Sequence, residues 1–254
     1  MPAIEKTAAA PQRLQWLTVE VLEVISENPR VRSLVLDAPG WPGHRAGQHV
    51  DVRLTADDGY QAQRSYSIAS EPESKRLILT VEAIDDGEVS PYLTGEVRAG
   101  DRFELRGPIG GHFVWTDTLG GPLFLVAGGS GIVPLMAMLR HRAAVRSEVA
   151  ALLLYSSRTF DDIIYRAEIE RIASAGDGVN VVHTLTRKQP QGWQGGRRRI
   201  DRDMLADAGP SPEAQPRIYI CGPTPFVETA ATILTELGHA PERIKTERFG
   251  PTGN

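Results

Sequence analysis

Between residues 16 and 113 the chain alternates apolar and polar positions with a period of two. The alternation runs through residues 17–24, 31–36, 49–54, 63–68, 76–83 and 101–106. Successive strand side chains point to opposite faces, so each run predicts a half-buried strand. Turn chemistry separates them at residues 38–43, 57–59 and 85–87, where Gly, Pro and Asp cluster. Only residues 89–94 read as a short helix, with Ser90 near its start. Six short strands at this spacing predict an antiparallel barrel, which removes exposed edges by closing.

The rhythm changes after Gly120-Gly121-Pro122. Residues 123–127 are continuously apolar, as suits a strand buried on both faces. A helical pattern follows through Leu135, Met138 and Leu139. The strand signal returns at 149–155, 179–185 and 217–220, with helices near 162–173 and 224–237. Strands alternating with helices predict a doubly wound parallel sheet. Such sheets bind ligands at the carboxyl ends of their strands. Three turns fall there: Gly128-Gly129-Ser130-Gly131, Ser156-Ser157-Arg158 and Cys221-Gly222-Pro223. Residues 189–199 read as a surface loop and residues 1–12 as a loose tail. The chain thus divides into a β domain, 13–117, and an α/β domain, 121–254.

Composition narrows the function classes. A chain of 254 residues with 41% hydrophobic and 24% charged positions suits two ordinary globular domains. Its net charge of −4 gives no general attraction to nucleic acid. No apolar run approaches the roughly 20 residues of a membrane span, and the N-terminal residues lack a signal-like apolar core. A cytoplasmic protein without membrane insertion is expected. The single cysteine cannot form an internal disulfide and falls short of the roughly four ligands that a 2Fe–2S cluster needs. The six histidines are scattered, so no metal site is expected, and any iron acceptor must sit on another polypeptide.

Arg64-Ser65-Tyr66-Ser67, at the end of an alternating run, suits a flavin dinucleotide piece by piece. A guanidinium clamps phosphate, a tyrosine offers a flat amphipathic face, and a short hydroxyl reaches the redox edge of the ring. An ordinary strand is the alternative. Gly87-Glu88-Val89-Ser90 offers backbone N–H groups at a helix start, where a diphosphate binds; it also reads as a plain helix capped by Ser90. Gly128-Gly129-Ser130-Gly131-Ile132-Val133-Pro134 departs from G-x-G-x-x-G, yet remains a strand-to-helix turn that lets a pyrophosphate approach, with Pro134 harmless in a first helical turn. Cys221 alone is a small apolar residue ending a buried strand.

In this order and at this separation, with Glu247-Arg248-Phe249 near the end, these segments resemble the ferredoxin–NADP⁺ reductase superfamily, including reductase components of multicomponent oxygenases. The resemblance covers residues 14–254. It implies a six-stranded antiparallel FAD-binding barrel followed by an NAD(P)-binding doubly wound sheet. The implied activity passes hydride from NAD(P)H to FAD and then single electrons to a separate ferredoxin, oxygenase or cytochrome.

Carried onto this chain, the flavin contacts are Arg64, Ser65, Tyr66, Ser67, Val81, Gly87, Val89, Ser90 and Phe249. The nucleotide contacts are Gly129, Ser130, Gly131, Ser157, Arg158, Tyr165, Cys221, Gly222 and Pro223. Ser67, Cys221 and Glu247 line the reacting centre, with Cys221 shaping the pocket rather than acting as a nucleophile. NADPH is expected over NADH, because Arg158 stands where the adenosine ribose is read and Tyr165 or Arg166 can flank the adenine. Asp161 and Asp162 argue the other way. The five residues after Phe249 depart from the many relatives that end on this aromatic. A monomer is expected. Two rivals stay open: a free-flavin or quinone reductase, and a non-catalytic nucleotide-binding regulatory module.

Overall fold

The computed structural model describes residues 14–250. The tail expected over 1–12 and the extension 251–254 lie outside the described residues. The first sheet contains β1 (Leu17–Asn28), β2 (Val31–Asp37), β3 (His49–Thr55), β4 (Gln61–Ser67), β5 (Leu77–Glu82) and β6 (Arg102–Ile109). Its order is β4-β3-β6-β1-β2-β5, and its pairs are antiparallel. The edge strands β4 and β5 meet through a bridge between Ile68 and Leu79. Beside it the Ala69 N–H donates to the Ile78 carbonyl at 2.8 Å. The barrel therefore closes at that end, while β4 is paired only with β3 along Arg64 and Tyr66. Helix α1 (Ser90–Gly95) packs Leu93, with Val89 just before it, into the same core as Val50, Val52 and Leu105.

The second sheet contains β7 (Leu123–Gly128), β8 (Ala151–Thr159), β9 (Val179–Lys188), β10 (Arg217–Pro223) and β11 (Ile244–Phe249). Its order is β11-β10-β7-β8-β9, every pair parallel. The apolar run of β7 serves two cores. Leu123, Leu125 and Ala127 pack with α2 (Ile132–Ala144) and α3 (Arg166–Ser174), whereas Phe124 and Val126 pack with α4 (Arg202–Ala208) and α5 (Thr224–Glu236). Helices on both faces make the sheet doubly wound, as the alternating pattern requires.

Several boundaries differ from expectation. Strand β8 begins later and continues to Thr159, and α3 begins only at Arg166. Neither β11 nor α4 has a strong pattern in the sequence. Strand β11 is an edge strand reading Ile-Lys-Thr-Glu-Arg-Phe, and its run of polar residues weakens the strand signal. Phe113 and Trp115 come before the second domain in sequence. They nevertheless pack in that domain's core, together with Val31, Ala46 and Ala69 from the barrel. The two domains thus share buried apolar surface, which fixes one against the other far better than a polar contact would.

Candidate flavin and nucleotide site

Four polar side chains meet where the domains face each other. Ser67 ends β4 and lies directly opposite His49, the first residue of β3. His49 Nδ1 is 3.7 Å from Glu247 Oε1. Glu247 on β11 is in turn the lateral neighbour of Cys221 on β10. Paired residues of adjacent strands point to the same face, so Ser67, His49, Glu247 and Cys221 form one line across the domain boundary. Within the described structure, Ser67 Oγ and Glu247 Oε2 are buried without a hydrogen-bond partner. Buried polar atoms are normally satisfied, so two orphans at one spot mark a place built to receive a polar ligand.

Burial sets the charges here. It pushes the Glu247 carboxyl up to about 7. It lowers the His49 imidazole, an effect that the Asp51 carboxylate partly offsets. The Cys221 thiol is raised first by burial and then by Glu247, so the thiol keeps its proton. This matches a cysteine that packs rather than attacks. His49 is the residue that sequence reading missed. Its signal is its pairing with Ser67, which metal-ligand spacing does not test.

On the barrel side, Arg64 and Glu88 form an exposed ion pair at 3.5 Å, and Glu88 also accepts the Tyr60 hydroxyl at 2.8 Å. This contact brings Arg64 beside the Gly87-Glu88-Val89-Ser90 turn. Tyr66 is half-buried against the barrel core. The side chains of other candidate residues are engaged within the barrel. Ser65 donates its hydroxyl to Asp51 at 2.6 Å, and Asp51 also holds Arg106, so Ser65 belongs to a network on the face away from Tyr66. Val81 and Val89 bury their side chains in the barrel core, so any contact they make with a ligand is through the backbone. Ser90 is not the N-cap; that position is Val89, and the Ser90 hydroxyl accepts the Ile84 N–H at 3.1 Å. It tightens the turn instead. At Gly87 a Cβ would stand 2.9 Å from that hydroxyl, so this position admits little else.

On the nucleotide side the glycines fit a backbone cradle. A Cβ on Gly131 would meet the Cys221 carbonyl oxygen at 2.1 Å, and one on Gly222 would stand 3.0 Å from the Gly128 carbonyl oxygen. The two turns therefore pack backbone against backbone. Gly129 has φ +55° and open space above it, and Ser130 beside it is half-exposed. Ser157 is buried and Arg158 exposed at the carboxyl end of β8. Pro223 lies opposite the half-buried Phe249, whose ring packs against the adjoining core rather than standing free. Tyr165 is not positioned to flank an adenine. It is buried, and its hydroxyl donates to Thr80 of the barrel at 2.5 Å. A separate cleft of about 300 Å³ beside Trp41, His44 and Arg76 includes none of these residues.

Among the described residues no cluster of His, Cys, Asp and Glu could hold a metal ion, and no helix is long and apolar enough to cross a membrane. The donor set fits an anionic dinucleotide with a planar ring: an arginine at a glycine turn, a half-buried tyrosine, and orphaned polar atoms opposite a second glycine turn.

Comparison with known proteins agrees. The model of the oxidoreductase FAD-binding domain matches residues 17–115, and that of the oxidoreductase NAD-binding domain matches residues 125–232. NADH-cytochrome b5 reductase 1 of Emericella nidulans is 29% identical over 245 residues, 92% of this chain and 77% of that protein. The glycine betaine monooxygenase reductase subunit of Pseudomonas aeruginosa is 30% identical over 239 residues, 92% of this chain but only 64% of the subunit. The crystal structure of an Amycolatopsis cytochrome P450 reductase superposes with a TM-score of 0.83 at 28% identity, over 99% of this chain and 74% of that one.

Proposed function

This chain belongs to the ferredoxin–NADP⁺ reductase superfamily, and we propose that it passes hydride from NAD(P)H to FAD and then single electrons to a separate acceptor protein. It is a reductase with FAD- and NAD-binding domains. The observation that carries the finer reading is the line Ser67, His49, Glu247, Cys221, built from both domains and holding two orphaned polar atoms, Ser67 Oγ and Glu247 Oε2. FAD, when bound, supplies the conversion of a two-electron donor into one-electron steps.

The chain's own residues bind and orient. Arg64 and the Gly87–Ser90 turn would hold the diphosphate, and Tyr66 would cover the ring or its ribityl chain. Ser67 offers a hydroxyl at the reacting edge. Glu247, beside His49, carries a proton when its buried carboxyl is neutral, below about pH 7. Cys221, fully buried, keeps water from the reacting centre. Gly129, Gly131 and the Ser157–Arg158 corner would receive the nucleotide, NADPH in preference to NADH. The acceptor we propose is an iron-containing or haem protein, because relatives are named as reductases of cytochrome b5, cytochrome P450 and a monooxygenase.

The test is anaerobic stopped-flow reduction of the purified, flavin-loaded protein, followed by turnover with ferricyanide. We expect FAD as the extracted flavin, its bleaching by nicotinamide nucleotide, and ferricyanide reduction without iron in the preparation. FMN as the bound flavin, or a flavin that nucleotide does not bleach, would refute the proposal.

A further inference from the structure

Tyr165 stands in a backbone conformation that few aromatic residues adopt, with φ +58° in the left-handed region. It forms the corner between β8 and α3. From there its side chain leaves the second domain and enters the first, where a buried chain of hydroxyls receives it. Tyr165 donates to Thr80 at 2.5 Å on β5, Thr80 lies 2.8 Å from Ser33 on β2, and Ser33 donates to Glu27 on β1 at 2.6 Å. A carboxylate only accepts. The single Ser33 proton therefore goes to Glu27, Thr80 must donate to Ser33, and Tyr165 must donate to Thr80. The chain has one direction, fixed at its far end by a charge.

Arg140 of α2 completes the arrangement. Its guanidinium sits 4.6 Å from the centre of the Tyr165 ring. It grips both Glu168 oxygens at 2.9 and 2.6 Å, and its remaining arm donates to the Ala69 carbonyl of the barrel at 2.6 Å. Ala69 lies two residues past Ser67. One arginine thus ties the helix that follows the Gly128–Gly131 turn to the strand end that carries Ser67.

We propose that Arg140 and Tyr165 are positioning residues, a latch that sets the distance between the nucleotide turn and the flavin edge. The proposal rests on the reading of this chain as a nucleotide-dependent flavin reductase. Neither residue touches the reacting atoms; each acts by holding two domains in register, and hydride transfer is steeply sensitive to that spacing.

The test uses Tyr165→Phe, Thr80→Val and Arg140→Gln, with Thr80→Ser as the conservative control. In stopped-flow reduction of the holoprotein we expect the limiting rate to fall by about tenfold or more in the first three. Bound flavin, nucleotide Kd and reoxidation by ferricyanide should stay at wild-type values, and Thr80→Ser should restore the rate. Tyr165→Phe combined with Thr80→Val should be no slower than Thr80→Val alone, since Thr80→Val already breaks the bond to Tyr165. Amide hydrogen exchange on flavin-free protein reads the latch without activity, and protection at Ala69 and Ile169 should drop in the broken variants alone. Unchanged limiting rates, or rate losses that appear only together with flavin loss, would overturn the latch, as would unchanged exchange protection. A wild-type protein that nucleotide does not reduce would instead refute the function, and the exchange measurement would still decide the latch.

Discussion

Glu247 and His49 approach to 3.7 Å from opposite domains, and the protein interior disfavours the charged form of each. Burial is the cause on both sides, raising the carboxyl to about 7 and lowering the imidazole. The folded state therefore favours a protonated Glu247. The stability this group contributes is complete below its ordinary 4.5 and is lost as pH rises towards 7. Glutamine stays neutral throughout. Glu247→Gln should accordingly stabilise the flavin-free protein at about pH 8 relative to wild type, by up to roughly 3 kcal/mol compared with their difference at low pH. Thermal midpoints of both proteins across this range check it. A difference that does not grow with pH would mean that Glu247 is not held protonated.

The Arg64–Glu88 pair gives a second prediction. Both side chains are about half exposed, so the pair itself adds little to stability. Its interest lies in competition, because Glu88 occupies the guanidinium that we assign to the FAD diphosphate. Arg64→Ala should weaken FAD binding by about 1.5–3 kcal/mol, the range for a hydrogen bond to a charged group. Glu88→Gln should tighten it by removing both the competitor and a negative charge beside the phosphates. Flavin titration of the stripped protein measures the two, and tighter binding in neither sense after Glu88→Gln would remove the phosphate from Arg64.

The strands and helices were largely legible in sequence because burial imposes its period directly. The continuous run of β7 meets two cores, and the alternating runs of the barrel meet one. What escaped was decided by partners distant in sequence. Strand β11 is recognised by its register with β10, and His49 by its register with Ser67. Tyr165 sits near the nucleotide corner in sequence, but a left-handed turn sends its hydroxyl to Thr80 in the other domain. Val81 and Val89 fall within motif segments whose side chains face the core. A motif marks the segment; which side chain faces the ligand depends on the pleat and on the turn.

Gly131→Ala tests the nucleotide cradle alone. The added methyl would stand 2.1 Å from the Cys221 carbonyl oxygen, and the obstacle is backbone rather than a flexible side chain. The turn must shift, at a cost of about 1–3 kcal/mol typical of overpacking. The barrel lies outside this contact, so the variant should keep FAD while nucleotide Kd rises and flavin reduction slows. Equilibrium binding of nucleotide to the flavin-loaded variant checks this, and wild-type affinity would show that the Gly128–Gly131 turn does not receive the nucleotide.

The choice between NADPH and NADH turns on Arg158. It is exposed at the carboxyl end of β8, next to the buried Ser157, where a doubly wound sheet reads the adenosine ribose. A carboxylate there would select the 2′-hydroxyl, and an arginine favours a 2′-phosphate. Of the two acidic residues that argue against phosphate, Asp162 is engaged elsewhere. Asp162 accepts from the Thr159 N–H at 3.0 Å and its hydroxyl at 2.7 Å, and Asp161 faces Arg166 at 3.8 Å. The Asp162 carboxylate is thus drawn into the corner that leads to α3, whereas that of Asp161 stays exposed. Arg166 in turn lies over the Phe160 ring at 4.4 Å and is less free to flank an adenine than the sequence suggests. We expect wild-type flavin to be reduced faster by NADPH than by NADH at limiting nucleotide, and Arg158→Ala to lose about 1.5–3 kcal/mol of that preference, as for one charge-assisted hydrogen bond. Paired stopped-flow traces with both nucleotides check it. The named relatives include NADH-cytochrome b5 reductases, so an NADH preference in wild type, or a selectivity indifferent to Arg158, would assign this corner to the 2′-hydroxyl.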